Sequence, residues 1–298
     1  MYRSILVPVD GSKLAERALV LAVPLADQHN AALTLLSVHE PIADLTLGGG
    51  APVRDPALDN EWRKEHREYL TKLAKRVSRR TTAPVKTEFL DGRTVPTIAK
   101  YADEQGVDLI VMCTHGRGGF QRFWSGSVAD GLARASKVPL LLARGGRAPG
   151  SRMVGASLFR RVLVPLDGSE RAEGALLAAK ALLGDAHAAI TLAHVVHPMS
   201  AAAVANMAPR PELDPTVSYL EPLAAKHRSG SLVINHDMRT SGNVVRTLLD
   251  IADAHDAELI AISSQGLGGL QRMVVGSVAD KLVRTARVPV LLAPSAAT

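Results

Sequence analysis

The chain repeats itself, and this repetition limits its fold more than any other feature of the sequence. Residues 2–12 read YRSILVPVDGS, and residues 159–169 read FRRVLVPLDGS. Further along, GRGGFQRFWSGSVADGLAR at 116–134 returns as GLGGLQRMVVGSVADKLVR at 266–284, with twelve of the nineteen positions identical. Because 298 residues are enough for two hydrophobic cores of ordinary size, the repetition predicts two similar domains.

The segment between the two copies has the composition of a linker. It reads RGGRAPGSRMVGASL, is rich in Gly, Ala, Ser and Arg, and shows only weak periodicity. We therefore expect a first domain at residues 1–143, a linker at 144–158 and a second domain at 159–298.

Short apolar runs alternate with helical patterns within each copy. In the first copy the runs lie at 4–9, 31–38, 85–90, 108–113 and 138–143. Continuous apolar runs suit strands that are buried on both faces, so the pattern predicts an α/β fold with one open parallel sheet per copy. Between the first two runs, Ser12 is expected to cap a helix whose apolar face carries Leu21 and Leu25, with a bend at Pro24.

Composition and charge argue against several classes of function. The net charge is +6, but aromatic residues make up only 3% of the chain, which does not favour a nucleic-acid reader. The densest basic segment, 61–80, predicts an amphipathic helix that covers a sheet, with a polyanion-binding face as the less favoured reading. Cys113 is the single cysteine, so no internal disulfide can form. No signal-peptide pattern precedes the first run and no run approaches transmembrane length, so we expect a cytoplasmic protein without a membrane partner.

The glycine-rich loop after the fourth run is the main candidate for a ligand site. Its glycines would let the backbone present N–H groups to an anion, and Gly126 and Ser127 then open a helix whose N-terminus favours negative charge. The loop lacks the lysine of a P-loop. Asp10 ends the first run and Cys113 ends the fourth, so an acceptor and a phosphate-sized nest would face each other if those two strands are neighbours.

Purely structural readings of the same residues stay open. The segments Ser127–Asp130 and Ser277–Asp280 both fit the Ser-x-x-acid pattern of a helix capping box, which requires no ligand. Asp10 could likewise only cap the turn that follows it.

Taken together, ILVPVDGS, the histidine-glycine loop and GSVAD resemble the universal stress protein family, in both copies apart from the linker. The resemblance implies two tandem five-stranded sheets of strand order 3-2-1-4-5, which places the first and fourth strands side by side. In the nucleotide-binding branch of that family the loop follows Gly-x-x-Gly, nine residues, then Gly-Ser/Thr. Both copies carry the second glycine and the Gly-Ser ending, but Cys113 and Ser263 stand in place of the first glycine, and Gln265 replaces His115.

The resemblance also implies a ligand and a set of binding residues. The expected ligand is ATP, with ADP or AMP as alternatives, and Mg²⁺ would come with the nucleotide. Asp10 and Asp167 would meet the adenine or ribose end, with the backbone at Val38 and Val195 nearby. The full set of expected binding residues is Pro8, Asp10, Val38, Cys113, His115, Gly116, Arg117, Gly119, Gly126, Ser127 and Val128 in the first copy, and Pro165, Asp167, Val195, Ser263, Gly266, Gly269, Gly276, Ser277 and Val278 in the second.

The expected function is that of an ATP-binding, mainly non-catalytic regulatory protein of the stress response. One alternative is a slow ATPase or nucleotidyl transferase, for which Gln121 and Gln271 are the nearest candidates to position water. Another is a nucleotide-free interaction scaffold that uses the long loops at 41–60 and 198–215. The closing runs, 137–143 and 287–293, resemble strands through which family domains pair. We therefore expect the two domains to pair with each other and the chain to form a homodimer.

Overall fold

The computed structural model describes residues 1–40, 56–114, 126–144, 157–198, 217–264 and 275–294. Strands and helices alternate in this part of the chain, as predicted. The strands are β1 Ser4–Pro8, β2 Ala32–His39, β3 Val85–Asp91, β4 Leu109–Thr114, β5 Leu140–Arg144, β6 Arg161–Pro165, β7 Ala188–Val196, β8 Leu232–Thr240, β9 Leu259–Ser263 and β10 Val290–Ala293. The helices are α1 Leu19–His29, α2 Pro56–Ser78, α3 Thr94–Glu104, α4 Gly126–Ala135, α5 Glu170–Leu183, α6 Val217–His227, α7 Val244–Ala254 and α8 Ser277–Thr285, and a 3₁₀ turn, Ala15–Ala18, leads into α1.

These strands form one ten-stranded sheet, which corrects the expectation of two separate five-stranded sheets. The order is β3-β2-β1-β4-β5-β10-β9-β6-β7-β8, so each half has the expected 3-2-1-4-5 arrangement. The halves join where β5 and β10 pair antiparallel, with Leu141 opposite Leu291, whereas the pairs within each half are parallel. Two separate sheets would each leave an apolar edge strand with unpaired backbone groups, and pairing the two edges removes that liability.

Helices cover both faces of this sheet, as predicted. One face carries α1, α2, α5 and α6 over a buried apolar cluster that extends through both repeats, and the other carries α3, α4, α7 and α8 over a second such cluster. None of the helices in the described ranges has both the length and the apolar character needed to cross a bilayer.

The local sequence explains how the helices on the first face begin and what they bury. Ser12 Oγ accepts the Ala15 N–H at 3.1 Å, so Ser12 caps the 3₁₀ turn that leads into α1, and Pro24 lies inside that helix. The amphipathic helix expected over 61–80 lies within α2, whose buried apolar stripe includes Leu70, Leu73 and Val77. Trp62 departs from it, because its side chain is 44% exposed at the N-terminal end of the helix.

The end of α1 bonds directly to the second repeat. The Gln28 side-chain amide donates to the carbonyl oxygens of Leu182 and Leu183, both at 3.2 Å, and its Oε1 accepts the Leu158 N–H at 3.0 Å. The neighbouring His29 Nε2–H donates to the Leu182 oxygen at 2.9 Å. These polar contacts fix the two repeats relative to each other, in addition to the shared sheet.

Candidate functional site

Each repeat has a crevice at the carboxyl edge of the sheet where the strand order reverses. In the first repeat β1 lies between β2 and β4, with Ile5 opposite Leu109. In the second repeat β6 lies between β7 and β9, with Val162 opposite Leu259. In each repeat the helix after the first strand and the helix after the fourth strand lie on opposite faces of the sheet, which leaves a gap between them at the carboxyl ends of these two strands. Open parallel sheets bind their ligands at such positions.

The first wall is a tight turn after β1. Asp10 Oδ1 accepts the Ser12 N–H at 2.9 Å, and Gly11 between them has a φ of 83°, which a residue with a side chain rarely adopts. In the second repeat Asp167 Oδ1 accepts both the Ser169 N–H at 3.1 Å and the Ser169 hydroxyl at 2.6 Å. One carboxylate oxygen therefore holds the turn in each repeat, as the capping reading predicted for Asp10, and the turn keeps the carboxylate at the edge of the sheet.

A small residue lies near the carboxyl end of the fourth strand in each repeat, Cys113 as the last residue but one of β4 and Ser263 as the last residue of β9. Cys113 is half-buried and lies opposite Ala143 of β5, and Ser263 is buried opposite Ala293 of β10. Burial raises the pKa of the Cys113 thiol, and the nearby Arg17 guanidinium opposes that rise. A raised pKa keeps the sulfur as a thiol, which agrees with a small packed residue more than with a reactive thiolate.

The second wall is the N-terminus of the helix that follows the glycine-rich loop, and it is clearest in α8. Gly276 is its N-cap residue, with no side-chain cap, and Ser277 is the first helical residue. The Asp280 carboxylate bonds to Arg284 at 3.0 and 3.1 Å instead of turning back to the helix start. The capping-box alternative is therefore wrong for Ser277.

The N-terminus of α8 consequently keeps hydrogen-bond donors that no side chain in the described part of the chain caps. By contrast, Ser169 caps α5 and Asn243 caps α7, each by accepting a first-turn N–H through its side-chain oxygen. The Gly276 N–H donates to the Ser264 oxygen at 2.8 Å, which ties the helix start to the end of β9. Within the described ranges, no acceptor engages the N–H groups of Ser277, Val278 and Ala279, and the first intrahelical bond is that of the Asp280 N–H to the Gly276 oxygen at 2.9 Å. These groups and the helix dipole make an anion-binding end.

The corresponding helix of the first repeat has the same features where the structure describes it. Ser127 is exposed in the first turn of α4, as Ser277 is in α8. The Asp130 carboxylate bonds to Arg134 at 2.9 Å, so it too serves an i,i+4 ion pair. Six of the expected binding residues lie outside the described residues: His115, Gly116, Arg117, Gly119, Gly266 and Gly269.

The remaining expected residues lie on the strands and helices that border each crevice. Pro8 and Pro165 are the last residues of β1 and β6 and are buried. The partly buried valines of the set pack on the apolar cluster of the second face, near the ends of β2 and β7 and in the first turns of α4 and α8: Val38, Val195, Val128 and Val278. Both repeats therefore place equivalent residues at equivalent positions of the carboxyl edge.

A tyrosine–glutamate pair beside each first wall was not anticipated. The Tyr69 hydroxyl on α2 donates to Glu16 Oε1 at 3.2 Å, and the Tyr219 hydroxyl on α6 donates to Glu173 Oε1 at 3.0 Å. Burial is the main cause that raises the pKa of both tyrosines well above the usual value. Nearby carboxylates raise it further, Glu16 and Asp10 for the first tyrosine and Glu173 and Asp167 for the second. Each pair joins the second helix of its repeat to the helical segment that follows the turn of the first wall, the 3₁₀ turn in the first repeat and α5 in the second. The sequence contained a signal for this pair. The two glutamates are 157 residues apart, as are the two copies of the first repeated motif, and the two tyrosines are 150 apart, as are the two copies of the glycine-rich motif.

A second missed feature occurs at the end of β2 and only in the first repeat. His39 Nε2 lies 2.6 Å from Asp59 Oδ1, and Arg63 bridges Asp59 and Asp91 at 2.9 and 2.7 Å. The Arg63 hydrogen bond, followed by that of His39, lowers the pKa of Asp59. Val196 occupies the position of His39 in the second repeat, so the repetition gave no hint of this network.

Comparison with known proteins identifies relatives of both repeats. The profile of the universal stress protein family matches residues 1–144 and again 158–294. A universal stress protein of Mycobacterium tuberculosis is 27% identical over 299 residues, which is 97% of this chain and 96% of that protein. A shorter universal stress protein of Bacillus subtilis is 31% identical over 149 residues, 48% of this chain and 100% of its own length. The crystal structure of a universal stress protein from Archaeoglobus fulgidus superposes with a TM-score of 0.72 at 22% identity, covering 98% of both chains, and so has the same fold.

Proposed function

Because the chain belongs to the universal stress protein family, with two tandem copies of the family domain, we propose that it is a stress-response protein that binds a nucleotide in each repeat. We further propose that the nucleotide is ATP and that the protein acts through its bound state. In this proposal the phosphates lie at the N-termini of α4 and α8, and the nucleoside end lies toward β2 and β7.

The uncapped N-terminus of α8 is the observation that carries the proposal. Other helices of this chain, α5 and α7, start with a side chain that accepts a first-turn N–H, but α8 starts at a glycine with no side-chain cap. Backbone donors at a helix start are satisfied by a side chain, by water or by a ligand. A glycine followed by an exposed serine leaves room for a phosphate, whose negative charge the helix dipole favours.

Asp10 and Asp167 suit the nucleoside end of the ligand. A carboxylate accepts hydrogen bonds from ribose hydroxyls or an exocyclic amine, whereas it repels phosphates. Each of these carboxylates already uses one oxygen in its own turn, which holds it at a fixed place on the crevice wall.

Magnesium would be held mainly by the phosphates in this proposal. In the described part of the chain no three His, Cys, Asp or Glu side chains gather in a way that could bind a metal ion. Mg²⁺ commonly binds to substrate phosphates and water with few protein ligands, so such an arrangement is sufficient.

The direct test is to denature freshly purified protein and to quantify the released nucleotide against the protein concentration. Two adenine nucleotides per chain are expected, or two binding events in calorimetry with ATP and Mg²⁺ if purification removes the ligand. No released nucleotide and no binding of ATP or ADP would refute the proposal in favour of a nucleotide-free scaffold. Loss of the γ-phosphate during incubation with Mg²⁺ at many turnovers per hour would instead favour an enzyme.

The expected homodimer remains a prediction. Since β5 and β10 already pair with each other within one chain, two chains would have to associate through other surfaces. Sedimentation of the purified protein would separate a 31.6 kDa monomer from a dimer of twice that mass.

A further inference from the structure

His39 stands out among the buried polar residues at the carboxyl edge. It is the last residue of β2 and pairs in register with Asp91 of β3. On its other side β1 ends earlier, because Pro8 pairs with Leu36. His39 therefore extends three positions beyond the end of β1, next to Val38 and on the side of the crevice proposed for the nucleoside.

Among the described residues, one ring nitrogen of His39 has a hydrogen-bond partner and the other has none. Nε2 lies 2.6 Å from Asp59 Oδ1, and since an ionised carboxylate only accepts, Nε2 carries the hydrogen. In the neutral ring Nδ1 is then a bare acceptor. It is buried and has no hydrogen-bond partner among the described residues. Protein structures rarely leave a buried polar atom in this state, because the atom has lost its hydrogen bonds to water and gained none in return.

The neighbours of His39 hold the ring in place but supply no donor to Nδ1. Trp62 packs on it with 4.9 Å between ring centroids, and Phe89 stacks on it at 6.4 Å. Arg63 is committed to Asp59 and Asp91. The ring is thus fixed by aromatic contacts and by a charged network, with an unused acceptor. Of the two aromatic neighbours, Trp62 is the more easily moved, because its side chain is 44% exposed.

We propose that Nδ1 of His39 accepts a hydrogen bond from the nucleoside of the nucleotide bound in the first repeat. This inference rests on the proposed function. The donor has the chemistry of an N–H or O–H group, supplied by the 6-amino group of adenine or by the ribose 2′-hydroxyl. Val196 cannot accept a hydrogen bond through its side chain, so the second repeat lacks this contact and the two sites differ in selectivity.

The experiment measures nucleotide binding in the first repeat alone and distinguishes the role of Nε2 of His39 from that of Nδ1. A Ser277→Glu background places a carboxylate at the N-terminus of α8 and so removes phosphate binding from the second repeat. In that background His39→Gln keeps a donor near the position of Nε2, hence the bond to Asp59, but removes the acceptor at Nδ1. His39→Asn does the reverse, since its amide oxygen lies near the position of Nδ1. Calorimetric affinities for ATP, ITP and 2′-deoxy-ATP are measured for all three proteins.

In the protein with wild-type His39, one of the two analogues lacks the group that donates to Nδ1. We expect ATP to bind about fivefold to tenfold more tightly than that analogue, because one hydrogen bond is lost. A preference over ITP identifies the 6-amino group, and a preference over 2′-deoxy-ATP identifies the ribose hydroxyl. His39→Gln should abolish the preference, and His39→Asn should retain it. Since Trp62 packs on His39, nucleotide binding should also change the fluorescence of Trp62, obtained as the emission of the parent minus that of a Trp62→Phe variant.

Three results would overturn the inference. The first is a parent protein that binds ATP and both analogues equally, and the second is a His39→Gln variant with an unchanged preference. In both cases nucleotide binding survives, so the proposed function stands while the role of His39 falls. The third is a parent protein that binds no nucleotide, and this result removes the proposed function together with the inference.

Discussion

Replacing Ser277 by glutamate should stabilise the protein and at the same time abolish nucleotide binding in the second repeat. Ser277 is the first residue of α8 and is exposed, and its hydroxyl does not cap the helix. Its loss therefore removes no capping bond, which would be worth about 0.5–2 kcal/mol. A new carboxylate in the first turn interacts favourably with the helix dipole and should add about 0.3–1 kcal/mol.

The same carboxylate should weaken phosphate binding strongly. Two unit charges about 4 Å apart at a protein surface repel by about 4 kcal/mol, and solvent exposure and salt reduce this figure. Even about half of that repulsion corresponds to a loss of affinity of about thirtyfold. Ser277→Ala is the matched control, since it removes the hydroxyl and adds no charge. Ser127→Glu is the equivalent change in the first repeat, where Ser127 is also exposed in the first turn of its helix.

Two measurements on the same preparations check this reasoning: thermal unfolding without ligand, and calorimetry with ATP and Mg²⁺. We expect Ser277→Glu to melt at the wild-type temperature or up to about 3 °C above it and to bind one ATP fewer per chain. A Ser277→Glu or Ser277→Ala protein that melts well below the wild type would mean that the serine is a structural cap. A Ser277→Glu protein that still binds two nucleotides would refute the assignment of phosphates to this helix end.

Three further predictions concern stability. Replacing Gln28 by alanine removes its four side-chain hydrogen bonds to the end of the linker and to the C-terminus of α5 and should lower the free energy of unfolding by about 2–4 kcal/mol in denaturant titrations. Gln28→Glu should lower it further, because it directs a negative charge at the C-terminal carbonyl oxygens of α5. Burial lowers the pKa of His29 below 6.5. The stability due to its neutral form is therefore complete above pH 6.5 and is lost as the pH falls through the lowered folded-state pKa. His29→Gln should make the free energy of unfolding depend less on pH between 7 and 5, and an unchanged pH dependence would contradict this. Tyr219→Phe should cost about 1 kcal/mol in thermal unfolding, and combining it with Glu173→Gln should add little further loss if the two side chains stabilise the protein through their mutual bond.

The elements and their order within each half could be predicted from the sequence because the signals for them are local. Apolar runs marked the strands to within about two residues, and Ser12 and Ser169 cap the turns or helices that follow them. The strand order required the family resemblance, since no local pattern encodes which strands are neighbours. The pairing of the two halves through their closing runs, which the resemblance implied, is confirmed by Leu141 opposite Leu291, but no local pattern indicated that this contact joins them into one ten-stranded sheet.

The candidate site was predictable where it consists of backbone and turn residues, and not where it depends on side chains from distant segments. Asp10 and Gly276 were identified from motifs that any such turn or helix start requires. The capping-box pattern around Ser277 misled, because Asp280 had an alternative partner in Arg284 one turn further along the same helix. His39 carried no signal at all, since its role follows only from Asp59, whose position depends on the packing of α2 against the sheet.

The two repeats agree at the phosphate end of the crevice, whereas at the nucleoside end they share an aspartate and a valine but differ at His39, and this difference has a chemical meaning. Twelve of nineteen positions are identical around the glycine-rich loop and the helix start, where a ligand would be recognised by its phosphates. Equivalent residues of the two repeats are 157 positions apart up to Glu16 and 150 positions apart from Tyr69 onward. This change in spacing falls in the segment that includes the end of β2 and the start of α2. Phosphate recognition through backbone donors depends on the position of the helix itself, so a change in the number of residues at the helix start would disrupt it. Recognition of the nucleoside depends on individual side chains, so it can diverge between the repeats without affecting the phosphate end. A ligand without a base, such as tripolyphosphate, should therefore compete with ATP equally well at both sites, whereas adenosine should compete better at the first.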